Sequence, residues 1–154
     1  MESSMFLGQL GAVLALFVAA VGSCLGVGAA GTAAAGAWAK DARAGKPLRF
    51  IYIVMVSAPI TQTVYGFLVM LQIMDKLAGG DAGRSYTLLG IGLATGLGEM
   101  LSAWIQGIIG AGGCRMISEA DGKGFALVVI AIGIAETVGI FVLIFMSILL
   151  GRIG

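Results

Sequence analysis

The chain has 154 residues, 59% of them hydrophobic and only 11% charged, with 26 glycines and no histidine; soluble domains usually carry about 25% charged residues. Nine Lys and Arg against eight Asp and Glu leave a net charge of +1, too weak a field to displace counterions, which excludes a nucleic-acid partner. Without histidine, Ser-His-Asp and Cys-His catalysis and His-ligated zinc or haem fall away, and Cys24 and Cys114 lie too far apart in apolar sequence to suggest a disulfide framework or a zinc site.

Apolar stretches run from about 6–39, 50–74, 85–113 and 125–150. Each exceeds the roughly 20 residues that cross a bilayer as a helix, and none shows the alternation of a β-barrel strand. The expected fold is an all-α membrane protein with four transmembrane helices. The start Met1-Glu2-Ser3-Ser4 has no Lys or Arg, and the apolar run behind it is too long for a signal peptide, so the first span is expected to be retained.

In the first span Gly22, Gly26, Ala30 and Ala34 recur every four residues; Gly92 and Gly96, then Ala103, Gly107 and Ala111, do much the same in the third. Small residues at that spacing let helix backbones approach closely. A ladder on both odd spans favours a tightly curved inner ring over packing inside one monomer, with the bulkier second and fourth spans facing lipid. The run Gly26-Val27-Gly28-Ala29-Ala30-Gly31 fits a dinucleotide fingerprint, but it lies inside an apolar helix with no preceding strand and is set aside. Trp38 and Tyr86 read as interfacial anchors, Trp104 as packing, and the two cysteines as small apolar fillers.

The first connection holds Lys40, Arg43, Lys46 and Arg49 against Asp41 alone. The positive-inside rule puts it in the cytoplasm, with the 114–124 loop on the same side and both termini outside. Shifting the chain by 74 residues lays Gln62 on Glu136 and Phe67-Leu68-Val69-Met70-Leu71 on Phe141-Val142-Leu143-Ile144-Phe145. The chain therefore reads as two fused parallel helical hairpins, residues 1–78 and 79–154. Each hairpin crosses twice, so both share one orientation, which argues against an inverted-repeat transporter and suits a ring.

Only Glu99 and Glu136 place a charge deep in the spans. An ionised carboxylate at mid-bilayer costs at least about 2.5 kcal/mol, and no intramembrane Lys or Arg answers it, so Glu136 reads as an ion or proton carrier. Gln62 lies 13 residues after Arg49 and Glu136 lies 13 after Lys123, each roughly 20 Å down at 1.5 Å per residue. Gln106, nine residues before Arg115, comes within reach if the third helix projects beyond the membrane. Ala58, Thr61, Gln62 and Tyr65 share one helix face, and Pro59 is expected to kink the helix and free nearby carbonyls to face the site. A proton needs only Glu136. A dehydrated metal cation needs several oxygens, and the Thr61 hydroxyl, the Gln62 and Gln106 amide oxygens, a backbone carbonyl and Glu136 supply about five. One carboxylate with one monovalent cation is neutral, so Na⁺ or Li⁺ fits better than Ca²⁺. The Tyr65 hydroxyl can donate to Glu136 and hold it. Glu99, seven residues before Gln106, is read as a protonated group bonded to a neighbouring helix; the alternative is a secondary polar site on an ion path.

The run Pro59-Ile60-Thr61-Gln62-Thr63-Val64-Tyr65-Gly66-Phe67, with Gln106-Gly107 and Ala135-Glu136-Thr137, resembles the proteolipid c (K) subunit of V-type ATPases, and more narrowly its sodium-translocating bacterial kind. The resemblance implies a membrane rotor-ring subunit of a rotary ATPase, with no catalytic site of its own and no organic cofactor. It implies Na⁺ (alternatively H⁺) carried at Glu136, with Thr61, Gln62, Gln106 and the Ala58 carbonyl as ligands and Tyr65 as the latch. The implied partners are further copies in a homo-oligomeric ring, a stator subunit with an essential arginine, central-shaft subunits at the cytoplasmic loops, and membrane lipids, in a bacterial inner membrane. Glu99 and Ala58 depart from the family pattern. A small proton-coupled transporter and a purely structural pore-forming proteolipid remain the readings from other classes.

Overall fold

A computed structural model describes residues 2–153 of the chain. They form α1 (Glu2–Arg43), α2 (Tyr52–Ser57), α3 (Thr61–Ala78), α4 (Ser85–Glu119) and α5 (Phe125–Arg152), with short 3₁₀ turns at Ala58–Ile60 and Asp81–Arg84. Four helical segments are long and apolar enough to cross a membrane: Met5–Arg43, Tyr52–Ala78 (α2 and α3 together), Ser85–Glu119 and Phe125–Arg152. The third runs six residues past the expected Gly113, because Cys114 to Glu119 continue the backbone hydrogen bonding although their hydropathy falls. At 35 residues α4 is about 52 Å long, so it does project beyond a hydrocarbon core of about 30 Å. It stops where Asp121 (φ 55°) and Gly122 (φ 91°) enter the left-handed region, which a helix cannot follow.

The small-residue ladder is used inside the chain. A Cβ at Gly92 would collide with the backbone of Gly11, one at Gly96 with Leu14, one at Gly22 with Met100, and one at Gly107 with Gly26. Ala30 and Ala34 are fully buried. Within the chain, α1 and α4 spend these residues on each other. The contacts advance in the same direction along both helices, so the two odd spans are parallel. The even spans are parallel too, since Tyr65 bonds Glu136, Gln72 bonds Ser147 and Lys76 bonds the Ile153 carbonyl in the same order. Along α5 only Val128, Ile132, Gly139 and Leu150 are buried, as an outer helix requires.

Pro59 splits the second span into α2 and α3. Its ring lies against Gly26, the point where α1 also meets Gly107, so the kink fits only because α1 is bare there. The carbonyl of Met55, which Pro59 cannot bond, points at Gly110 of α4, where a Cβ would stand 2.9 Å from it. That freed carbonyl faces a neighbouring helix rather than the polar cluster, contrary to expectation. The Ala58 carbonyl does reach the cluster.

At one end of the bundle the 40–49 and 114–124 segments are tied together. Asp121 accepts hydrogen bonds from Lys46 (3.1 Å) and Arg49, Arg49 also donates to the Ile117 carbonyl (3.0 Å), and Trp38 donates to the Arg49 carbonyl (2.8 Å). Asp41, buried beneath them, accepts from Tyr52 (2.8 Å) and Ser118 (3.0 Å). The hydrogen bonds from Lys46 and Arg49 hold the Asp121 carboxyl below its ordinary range, and Asp121 in turn raises the Arg49 guanidinium. A depressed carboxyl stabilises the fold above its unfolded value, and that contribution is lost as pH falls through the folded one. In a Trp104→Phe background, Trp38 emission is therefore expected to shift towards that of a wetter indole only once pH falls below the ordinary Asp value of about 3.9. Emission that stays constant down to pH 2 would disprove the clasp. Tyr86 is 77% exposed, as a membrane-interface residue can be. Trp104 and Cys24 are exposed on faces turned away from the rest of the chain, and Cys114 is buried.

Candidate functional site

The polar side chains converge where α3, α4 and α5 meet. Glu136 projects from α5 and is half-buried. Its Oε1 accepts from the Tyr65 hydroxyl at 2.7 Å. Its Oε2 accepts from the Thr61 hydroxyl (2.9 Å), the Gln62 amide (2.9 Å) and the Gln106 amide. Thr61, Gln62 and Tyr65 reach it together because α3 restarts as a regular helix directly after the Pro59 turn, which puts positions i, i+1 and i+4 on the side facing α5. Gln106 reaches it from α4, and both glutamines are wholly buried.

Thr61 Oγ1 lies 2.9 Å from Glu136 Oε2 and 3.1 Å from both the Ala58 carbonyl and Gln62 Oε1. A hydroxyl has one proton, so it can answer only one of these three acceptors. Four oxygens from α3, its preceding turn and α5 are thus packed together with one hydroxyl hydrogen among them; of these four the Gln62 and Gln106 amides answer only Glu136 Oε2, and Gln106 Oε1 is buried nearby with no partner. Such a surplus of acceptors is what a hard cation neutralises.

All the expected residues around Glu136 (Ala58, Thr61, Gln62, Tyr65 and Gln106) come together, with Pro59 setting the turn. Two details differ from expectation. Both glutamines turn their amide nitrogens to Glu136, because a carboxylate only accepts and draws donors towards it; Gln62 Oε1 already stands beside Thr61, whereas a cation would call for rotation of the Gln106 amide to offer its oxygen. Glu99 is fully buried but bonded to no neighbouring helix.

Two contributors went unnoticed in the sequence. Ser102 accepts from Gln62 (3.3 Å) and donates to the Ala135 carbonyl (2.9 Å), which orients the Gln62 amide. Gly139 provides room beside them: a Cβ there would stand 2.7 Å from Glu99 Oε2 and 3.2 Å from Ser102 Oγ. The spacings Glu99-Ser102-Gln106 and Glu136-Gly139, each one helix face, were the available signals.

The sequence profile of the ATP synthase C-subunit family matches residues 10–73 and again 89–149. The chain is 34% identical over 151 residues to the K subunit of the A-type ATP synthase of Methanocaldococcus jannaschii; the match covers 97% of this chain and 64% of that protein, so the chain spans just under two thirds of the archaeal protein's length. It is 31% identical over 144 residues to the 16 kDa proteolipid c-subunit of the V-type proton ATPase of Rattus norvegicus and to that of Mus musculus, covering 93% of this chain and 90% of each relative.

Proposed function

The chain belongs to the ATP synthase C-subunit family, and from that premise we propose that it is a rotor-ring subunit of a V/A-type rotary ATPase, carrying Na⁺ across the membrane at Glu136. Two separate profile matches, over 10–73 and 89–149, support two hairpin repeats of about 1–78 and 79–154, placed side by side in a homo-oligomeric ring. Catalysis belongs to other subunits of the complex; this chain moves the ion.

The observation that carries the sodium reading is the crowd of oxygens on Thr61 Oγ1, with the Ala58 carbonyl, Gln62 Oε1 and Glu136 Oε2 all within 3.1 Å. Na⁺ seated among them, with the Gln106 amide rotated to offer its oxygen, cancels the Glu136 charge and satisfies the surplus acceptors together. The Tyr65 hydroxyl on the other carboxylate oxygen holds Glu136 in place. The neutral, loaded site then travels along the lipid-facing seam between α3 and α5. At a stator subunit, an essential arginine competes for Glu136 and releases the cation into a path to one side. Moving one charge against 100 mV costs about 2.3 kcal/mol, which ATP hydrolysis supplies or ATP synthesis recovers.

The excess of basic residues over 40–49 supports cytoplasmic loops at 40–49 and 114–124, facing central-shaft subunits, with the termini on the far side of a bacterial inner membrane and lipids around the ring. A proton is the second cargo reading, because any carboxylate that binds Na⁺ can also bind H⁺ and the two mammalian relatives are subunits of a proton ATPase. Labelling of Glu136 by a hydrophobic carbodiimide at fixed pH separates the two. Added Na⁺ is expected to slow it in proportion to site occupancy. Labelling that follows pH and ignores Na⁺ would overturn the sodium reading.

A further inference from the structure

Three acidic side chains are buried or half-buried among the described residues, and they are treated differently. Each Asp41 oxygen receives a donor, Ser118 on Oδ1 and Tyr52 on Oδ2. Glu136 receives four donors. Glu99 is 0% exposed, and neither of its carboxyl oxygens has a hydrogen-bond partner. An ionised carboxylate kept from both water and donors is strongly disfavoured and takes up a proton instead.

The surroundings give it no counter-charge. At this depth α5 presents Glu136, whose ionisation would oppose a second negative charge, and α3 presents Tyr65; Asp75, Lys76 and Arg152 lie at the far ends of those helices. The first span has no charged side chain between Met5 and Ala39, and on α4 the nearest charge is Arg115, 16 residues or about 24 Å away. No group of three or more His, Cys, Asp or Glu side chains that could hold a metal ion gathers among the described residues. The cation that fits is the proton, which needs the carboxyl alone.

We propose that Glu99 is a second ion-holding carboxyl, which keeps its own proton while Glu136 exchanges cargo. The pocket that holds it depends on Gly139, since any larger residue would meet Glu99 Oε2. With Glu99 neutral, Glu136 is the only charge at that depth, and one monovalent cation neutralises the chain. Only the pairing with cargo exchange rests on the function proposed above; the retained proton does not.

Infrared spectroscopy of the purified ring at neutral pH tests it. With saturating Na⁺ the wild type is expected to keep a carboxylic-acid C=O band of one carboxyl per chain, which Glu99→Gln removes and Glu136→Gln leaves. Glu99→Met serves as the second variant if the first does not assemble. The absence of an acid band from the Na⁺-saturated wild type, or a band lost in Glu136→Gln and kept in Glu99→Gln, would overturn the proposal. If instead the cargo is a proton, the wild type shows two carboxyls per chain regardless of Na⁺, and Glu99→Gln still removes one. Protection of Glu136 from carbodiimide by Na⁺ is expected to stay within twofold in Glu99→Gln, because a neutral amide replaces a neutral acid. A tenfold loss of protection would mean that Glu99 carries charge.

Discussion

Glu136→Gln is expected to abolish cation uptake and the ATP hydrolysis coupled to it in the assembled complex. On the proposed reading, Glu136 supplies the only negative charge that touches the ion. An amide leaves a dehydrated cation uncompensated in a low-dielectric site, a penalty of about 3–5 kcal/mol, or roughly 100-fold or more in affinity. The substitution also turns an acceptor into a partial donor facing the hydroxyls of Thr61 and Tyr65 and the amides of Gln62 and Gln106. Glu136→Asp keeps the charge but withdraws it by one methylene, so it should retain measurable uptake at raised Na⁺. Ring assembly, read by native mass, separates loss of the ion from loss of the fold. Sodium uptake by inverted vesicles containing an assembled Glu136→Gln ring would refute the assignment.

The second large effect is expected at the α1–α4 contact. Gly107→Val places a branched side chain where the Gly26 backbone already lies, and helices that meet backbone to backbone have no flexible side chain to move aside. Overpacking of this kind costs about 1–3 kcal/mol or more. The damage should also reach the site, because Gly107 adjoins Gln106 and Gly26 supports the ring of Pro59. Both a lower temperature of ring dissociation and weaker Na⁺ protection of Glu136 are therefore expected. Gly112→Ala is the control, as nothing beyond the local backbone of its own helix lies within 4 Å of its added Cβ. Equal stability of the Gly107 variant and this control would show that α1 and α4 do not depend on the ladder.

Much of the molecule was legible in one dimension, for a physical reason. Lipid excludes unpaired backbone groups, so hydropathy and length alone dictate four helices. An ionised carboxylate at mid-span must be answered by a donor or a cation or else take up a proton, so Glu136 marked the candidate site before any contact was known. The i, i+3, i+4 spacing of Ala58, Thr61, Gln62 and Tyr65 specified a common face. Even the parallel arrangement followed from two helices per repeat, and the parallel order of α1 with α4 agrees with it.

Other features depended on distances between helices, which no local pattern encodes. Hydropathy reports the solvent around a helix rather than its hydrogen bonds, so α4 outlasted its apolar stretch by six residues, to Glu119. The glycine ladder announced close approach but not its partner, and only packing assigned Gly92 to Gly11 and Gly107 to Gly26. The direction of the Gln62 and Gln106 amides followed from which acceptor stood opposite. Glu99 is the clearest case: its residue type and depth said that it must be neutral, bonded or paired. Whether a donor stood beside it was settled by how α3, α4 and α5 came together around Gly139, and they brought none.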